Sequence, residues 1–311
     1  HDFKIISIPI SRLDKDDKKQ EAISSQKIQI DKKININDVV YYQMTSGSTG
    51  RFKCIPITHK NILHNTSLIK KASFAEKQEI GASWLPLYHD MGLVGSELLC
   101  LVNNYHLFVF SSFDFLRRPH IFLETISKEK ISLSPSPNFG YEYIIKHYKT
   151  NSELYKNLNL SSWKVAYCGA EPIRVKTLQS FLKIFKPKGF KSSTFFPCYG
   201  LAEVTLAVCF KSDLISNYVV INICKDGEKV LIKDKVSLDQ KLILKECEMS
   251  VMSVGKPLST LNVNLVNKSN QIILEDCLIG EIIVKGKSVT KGYLTDQTHL
   301  NLFERSTVAS G

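Results

Sequence analysis

No apolar run in this 311-residue chain approaches the roughly 20 residues that a membrane-spanning helix needs. The richest stretch, Leu93 to Phe110, is interrupted by Gly95, Glu97, Asn103 and Asn104. No basic-then-apolar secretion signal opens the chain. The eight cysteines are scattered without a Cys-x-x-Cys pair, which argues against zinc and dithiol redox sites, and the chain is too large to need a disulfide scaffold. They read as reduced thiols of a cytoplasmic protein. Arginine is scarce although the formal charge is +11. With no basic helix, aromatic RNA-binding signature or zinc knuckle, the lysines read as a solvated surface rather than a nucleic-acid footprint. Internal repeats and low-complexity segments are absent too.

At 43% hydrophobic, the chain can bury a sizeable core with more than one packing unit. Its central stretch is Val40-Tyr-Tyr-Gln-Met-Thr-Ser-Gly-Ser-Thr-Gly-Arg-Phe-Lys53. A β-prone run there empties into a loop of hydroxyl residues and glycines ending on a lysine. Gly47 and Gly50 free the backbone to turn its N–H groups inward as an anion nest, and Thr45, Ser46, Ser48 and Thr49 add hydroxyls. Lys53 adds a mobile positive charge. The loop has neither the spacing of a Walker-type P-loop nor the dinucleotide-binding glycine pattern. By itself it is equally compatible with a polar surface turn.

Thr58 to Ala75 reads as a helix capped by Thr58, with a partial apolar stripe at Ile62, Leu63, Leu68 and Ile69. The phosphate loop then belongs to a strand-loop-helix unit. Pro86 and Gly92 break the run Trp84-Leu-Pro-Leu-Tyr-His-Asp-Met-Gly92, so His89 and Asp90 are expected on a loop after a strand. A lone histidine in such a run is more often structural. Pro135 and Pro137 fix an extended turn, followed by Phe139, Tyr141 and Tyr143, which suit an apolar slot as well as they suit a core. Strands are expected at Phe3 to Ile10, Trp163 to Tyr167 and Ser193 to Phe196, and a helix over Ile173 to Phe185. Strands alternating with helices imply a mostly parallel sheet covered on both faces, with ligands at its C-terminal edge.

From about residue 251 the pattern changes to short alternating runs, Leu261 to Leu265, Ile272 to Leu274 and Glu281 to Gly286, expected to form a small antiparallel barrel or distorted sheet. Three regions follow: an α/β nucleotide- and acyl-binding region over 1–208, a lysine- and glutamate-laced segment over 209–250, and a β-rich subdomain over 251–311.

Four motifs in order resemble the adenylate-forming superfamily of acyl-CoA synthetases, peptide synthetase adenylation domains and luciferases, and most closely its fatty acyl-AMP ligase branch. They are Thr45-Ser-Gly-Ser-Thr-Gly50 with Lys53, Trp84-Leu-Pro-Leu-Tyr-His-Asp-Met-Gly92, Ser134-Pro-Ser-Pro-Asn-Phe-Gly-Tyr141, and Cys198-Tyr-Gly-Leu-Ala-Glu203. Ala202 stands where most of the superfamily has threonine, a feature of that branch. The resemblance implies ATP-dependent activation of a fatty acid to acyl-AMP and pyrophosphate, then transfer to an acyl carrier protein or the carrier domain of a polyketide or peptide synthetase. A CoA-forming synthetase and a non-catalytic nucleotide-binding remnant are the alternatives.

Carried over by resemblance, Thr45, Ser46, Gly47, Ser48, Thr49 and Gly50 would hold the β and γ phosphates with Lys53. Gly169, Ala170 and Glu171 would border the adenine, and Tyr199, followed by Gly200, Leu201 and Ala202, would stack on it. Glu203 would coordinate Mg²⁺. His89 would lie between the acyl group and the α-phosphate, with Met91, Gly92, Asn138, Phe139 and Tyr141 along the acyl chain. Phe52 and Cys54 replace the residues that usually flank the loop lysine. The short lead before the loop, the missing initial methionine and the stop at Gly311 suggest a fragment that lacks the ribose-binding aspartate and a lysine-bearing C-terminal domain.

Overall fold

In the computed structural model the described residues are 6–7, 33–46, 52–75, 78–211, 217–223, 229–240, 243–244, 248–294, 300–302 and 307–309. The first half contributes the strands Ile6–Ser7 (β1), Val39–Ser46 (β2), Phe52–Thr58 (β3), Ile80–Ser83 (β4), His106–Val109 (β5), Leu133–Ser136 (β6), Val165–Cys168 (β7), Phe195–Gly200 (β8) and Ala207–Phe210 (β9). The rest adds Asn217–Ile223 (β10), Val230–Ser237 (β11), Met249–Met252 (β12), Lys256–Pro257 (β13), Asn262–Val266 (β14), Glu281–Lys285 (β15), Gly292–Leu294 (β16), Leu300–Leu302 (β17) and Thr307–Ala309 (β18). The helices are His59–Ala72 (α1), Asp90–Gly92 (α2), Leu99–Asn103 (α3), Ser112–Arg117 (α4), Pro119–Lys128 (α5), Asn138–Thr150 (α6) and Val175–Phe185 (α7). A π-helical segment, Leu93–Leu98, joins α2 to α3.

The main sheet has the order β1-β5-β4-β6-β7-β8-β9-β13. It is parallel from β1 to β8 and antiparallel at β9 and β13, as the alternation of strands and helices predicts. Strands β6 and β7 are buried throughout, which follows from helices covering both faces of a parallel sheet. Helix α1 starts as the sequence indicates. Thr58 accepts from the Asn61 N–H while the Asn61 side chain accepts from the Thr58 N–H, a reciprocal cap that satisfies two helix-end groups. Helix α7 turns Leu178, Phe181, Leu182 and Phe185 into the core.

One expectation about architecture is corrected. Phe52–Thr58 is a strand rather than part of a loop, paired antiparallel with β2 from Thr45↔Lys53 down to Val39↔Thr58. Strands β2 and β3, on either side of residues 47–51, therefore pair in a second sheet, of order β17-β16-β3-β2, and not in the parallel sheet. Strands also pair across the boundary expected near 250. Lys256–Pro257 pairs with β9 and Leu294 with Cys54, because edge strands of the first region are completed by chain from the last. Among the described residues there, only β14, β15 and β18 form an antiparallel sheet of their own, and Ile272 contributes an isolated bridge to Val266. Within 209–250, β10 and β11 pair as an antiparallel hairpin and β12 joins β10. Of the predicted first strand, Ile6–Ser7 is seen; the rest of Phe3 to Ile10, and the charged segment Arg12 to Glu21, whose composition reads as a solvent-exposed turn or helix, lie outside the described residues.

Candidate functional site

The expected loops leave the C-terminal ends of four neighbouring strands. The His89 loop follows β4, the Asn138 turn follows β6, Gly169 follows β7 and Glu203 follows β8. Adjacent parallel strands place their outgoing loops side by side, which is where open α/β sheets bind ligands. Gly47, Ser48, Thr49 and Gly50 lie outside the described residues. Their hairpin is held over the row by contacts from both of its strands.

On one strand, Gln43 is buried and its amide donates to the Tyr88 carbonyl at 2.9 Å, tying the hairpin to the His89 loop. On the other, Lys53 Nζ lies 3.5 Å from the Tyr293 hydroxyl and 4.6 Å from the centre of its ring. Tyr293 in turn donates to Glu203 Oε1 at 2.7 Å. Burial and the Glu203 carboxylate push the Tyr293 phenol well above its ordinary range, so it remains a donor. Thr45, paired with Lys53, borders the same hairpin end as Ser46. Behind Glu203, the fully buried Asn65 of α1 donates to the carbonyls of Val204 and Ala207 and accepts from the Ala207 N–H.

His89 ends the loop after β4, at the N-cap position of α2, and Asp90 is the first helical residue. Its Nδ1 stands 2.9 Å from Asp90 Oδ1 and 3.2 Å from the Met91 N–H. Asp90 Oδ1 already accepts that N–H at 2.7 Å, so the ring proton belongs on Nδ1, donated to the carboxylate, which leaves Nε2 for a ligand. That hydrogen bond outweighs partial burial and raises the His89 pKa. Met91 is buried, and Gly92 packs so closely on the Pro86 carbonyl that a Cβ would overlap it. A side chain at 92 would push the whole His89 turn outward.

The Gly169 turn is fixed from both sides. A Cβ on Gly169 would sit 2.8 Å from Cys198 Sγ and 2.9 Å from its carbonyl, and Ala170 adopts a left-handed φ of 66°. Glu171 accepts from the Phe139 N–H at 2.6 Å, a carboxylate at the positive end of α6. The Asn138 amide donates to Glu142 and its carbonyl accepts from the Arg174 N–H, so this side chain is engaged in joining two loops. Tyr199 and Leu201 are half-buried and packed beside the core. Gly200 lies against the Leu206 carbonyl, and Ala202 is buried with Ile55, Ile57 and Ile62.

Of the expected slot residues, Phe139 is partly exposed and edge-on to Trp84 at 5.6 Å. Tyr141 is fully buried, edge-on to Phe181 and Phe195 at 5.2 and 5.3 Å. Helical spacing puts 139 and 141 on different faces of α6, one toward the cleft and one into the core. Gln43, Asn65 and Tyr293 were not legible as site residues. No local pattern marks them, although Gln43 interrupts a strand otherwise rich in apolar residues.

The donor set suits Mg²⁺. Among the described residues no cluster of three or more His, Cys, Asp or Glu side chains could hold a metal alone. Glu203 is half-buried and its Oε2 accepts no hydrogen bond from them. A single carboxylate completed by substrate phosphates and water is how Mg²⁺ is commonly held.

The model of the AMP-binding enzyme family matches residues 4–294. The chain is similar to the medium-chain-fatty-acid–[acyl-carrier-protein] ligase JamA of Moorena producens, 35% identical over 84% of this chain and 43% of that protein. It is also similar to the ligase of the same description, TtuA, of Teredinibacter turnerae, 31% identical over 88% and 41%. Among solved structures, the fatty acid AMP ligase from Legionella pneumophila superposes with a TM-score of 0.78 at 31% identity, covering 90% of this chain and 48% of that one. The Legionella fatty acyl-adenylate ligase in complex with acyl adenylate and pyrophosphate gives 0.76 at 32% identity, over 89% and 48%. The chain spans less than half the length of the relatives it matches.

Proposed function

The chain belongs to the AMP-binding enzyme family, and we propose that it is the nucleotide- and acyl-binding part of a fatty acyl-AMP ligase. In the reaction a fatty acid carboxylate oxygen attacks the α-phosphorus of ATP, the bond from that phosphorus to the bridging oxygen breaks, and pyrophosphate leaves. Such a displacement needs alignment and charge neutralisation rather than a protein nucleophile. The observation that carries the reading is the link from Lys53 through Tyr293 to Glu203, which sets a cation of the phosphate hairpin beside a carboxylate fit for a metal.

In this reading the loop from Thr45 to Gly50 cradles the β and γ phosphates and Lys53 neutralises them. Glu203 would hold Mg²⁺, which when bound supplies charge neutralisation at the phosphate oxygens. Tyr199 stacks on the adenine, with Gly169, Ala170 and Glu171 along its edge and Gly200 to Ala202 beneath. His89, its Nδ1 proton committed to Asp90, offers Nε2 between the acyl carboxylate and the α-phosphate. Met91, Gly92, Asn138 and Phe139 border the acyl chain. The names of the similar ligases support a fatty acid substrate and an acyl carrier protein as acceptor. No helix among the described residues is long and apolar enough to cross a membrane, and the free thiols at Cys54, Cys100, Cys168, Cys198, Cys209 and Cys277 suit the cytoplasm.

Fatty-acid-dependent exchange of labelled pyrophosphate into ATP by the complete natural protein tests this. Exchange that needs both a fatty acid and Mg²⁺ is the expected result, and its absence across chain lengths refutes the reading.

A further inference from the structure

Tyr293 reaches the site from far along the sequence. Its strand β16 is laid beside β3 through Leu294↔Cys54, and the segment before it is pinned to the Glu203 loop. The Thr290 N–H donates to the Glu203 carbonyl at 2.9 Å, and the Thr205 hydroxyl donates to the Ser288 carbonyl at 2.8 Å. The ring packs with Ala202, Ile55, Ile57 and Ile62, so its direction is set by apolar neighbours and its hydroxyl by Glu203.

The arrangement solves an electrostatic problem. A lysine and a glutamate in one half-buried cleft attract each other strongly. Closed into a direct ion pair, Lys53 would be lost to phosphate and Glu203 to a cation. No Lys53–Glu203 ion pair is present among the described residues. The phenol lies between them, with its hydroxyl on one oxygen of Glu203 and the Lys53 ammonium 4.6 Å from the ring centre. Glu203 Oε2 is left over.

We propose that Tyr293 is a positioning residue of the adenylation site, whose hydroxyl orients Glu203 for a divalent cation and whose ring keeps Lys53 from closing onto that carboxylate. The proposal rests on the reading of Glu203 and Lys53 given above and adds the group that holds the two apart. Removing the hydroxyl alone frees the carboxylate to rotate and weakens the cation response. Removing the ring lets the ion pair form and weakens nucleotide binding even when the cation saturates.

The test uses the complete natural protein, with Tyr293→Phe and Tyr293→Leu beside the wild type. Calorimetric binding of ATP is measured over a Mg²⁺ titration, together with binding of a non-hydrolysable acyl-AMP analogue, which carries neither the β and γ phosphates nor a metal. Tyr293→Phe is expected to raise the Mg²⁺ concentration for half-maximal ATP binding about tenfold, with ATP affinity near wild type at saturating Mg²⁺. Tyr293→Leu is expected to lose about tenfold in ATP affinity even at saturating Mg²⁺. Both should bind the analogue within about twofold of wild type. A Mg²⁺ midpoint unchanged in Tyr293→Phe overturns the proposal and leaves the proposed function standing, as does a parallel loss of ATP and analogue binding, which would mark a purely structural residue. A wild type whose ATP binding ignores Mg²⁺ and that forms no acyl-AMP overturns both.

Discussion

The side-chain amide of Gln43 donates to the backbone carbonyl of Tyr88 across 45 residues of sequence at 2.9 Å, joining the phosphate hairpin to the turn that carries His89. Gln43→Met keeps the volume and removes the donor. We expect it to lower stability by about 1 kcal/mol, the worth of one hydrogen bond whose exposed partner can turn to water. The ATP concentration for half-maximal pyrophosphate exchange should rise several-fold, since the hairpin would no longer be held over the site. Denaturant unfolding and exchange kinetics on the same preparation measure both.

Replacing Glu203 by glutamine keeps the shape and the bond from Tyr293 but removes the charge. Pyrophosphate exchange should fall at least a hundredfold, a loss of about 3 kcal/mol in stabilisation of the reacting phosphates. The circular dichroism spectrum and unfolding midpoint should stay near wild type. Exchange at a normal rate would remove Glu203 from the metal site.

Lys211 gives stability a distinct pH dependence. It is buried and donates to the carbonyls of Ser193 and Phe195 at 2.6 and 2.7 Å, 4.9 Å from the centre of the Phe196 ring. Burial lowers its pKa from 10.5 to about 8. Above about 8 the folded protein has released a proton that the unfolded chain keeps until about 10.5. Stability should therefore rise with pH through this window and be least below it, by at most about 3 kcal/mol from this group. Denaturation at pH 7 and 9.5 should show wild type gaining on Lys211→Met over that interval; a constant difference would contradict the assignment.

Phe139 and Tyr141 should separate specificity from stability. Tyr141→Ala opens a cavity beside Phe181 and Phe195 and should cost about 3–5 kcal/mol. Phe139→Ala, at the partly exposed cleft position, should cost under about 1 kcal/mol yet change the preferred fatty acid length. Exchange assays across a series of saturated acids, with thermal unfolding of each variant, would expose a reversal of these roles.

The acceptor is expected to be a phosphopantetheinylated carrier protein rather than free CoA. The segment over 209–250 is anchored on α7, where Gln179 donates to the carbonyls of Leu238 and Gln240. The similar proteins JamA and TtuA are described as acyl-carrier-protein ligases, which motivates this expectation. Acyl transfer from preformed acyl-AMP to each acceptor at equal concentration measures the preference, and faster transfer to CoA would place the chain on the other branch.

Much of this protein is determined within short windows of sequence. Thr58 and Asn61 start α1 through a contact three residues long, the apolar spacing of α7 names its buried face, and the alternation of strands and helices sets the parallel sheet with its loops at one edge. Those signals are local because capping and periodicity act over one or two turns. The tertiary structure alone decided the rest. Phe52–Thr58 became a strand because β2 and β16 lie on either side of it. Tyr141 went to the core because α6 turns that face inward. Lys53 met Tyr293, 240 residues away, because two distant strands share a register. A pairing at that separation leaves no periodic trace in either segment, and so the side chain that holds Glu203 and Lys53 apart became visible only once the chain was folded.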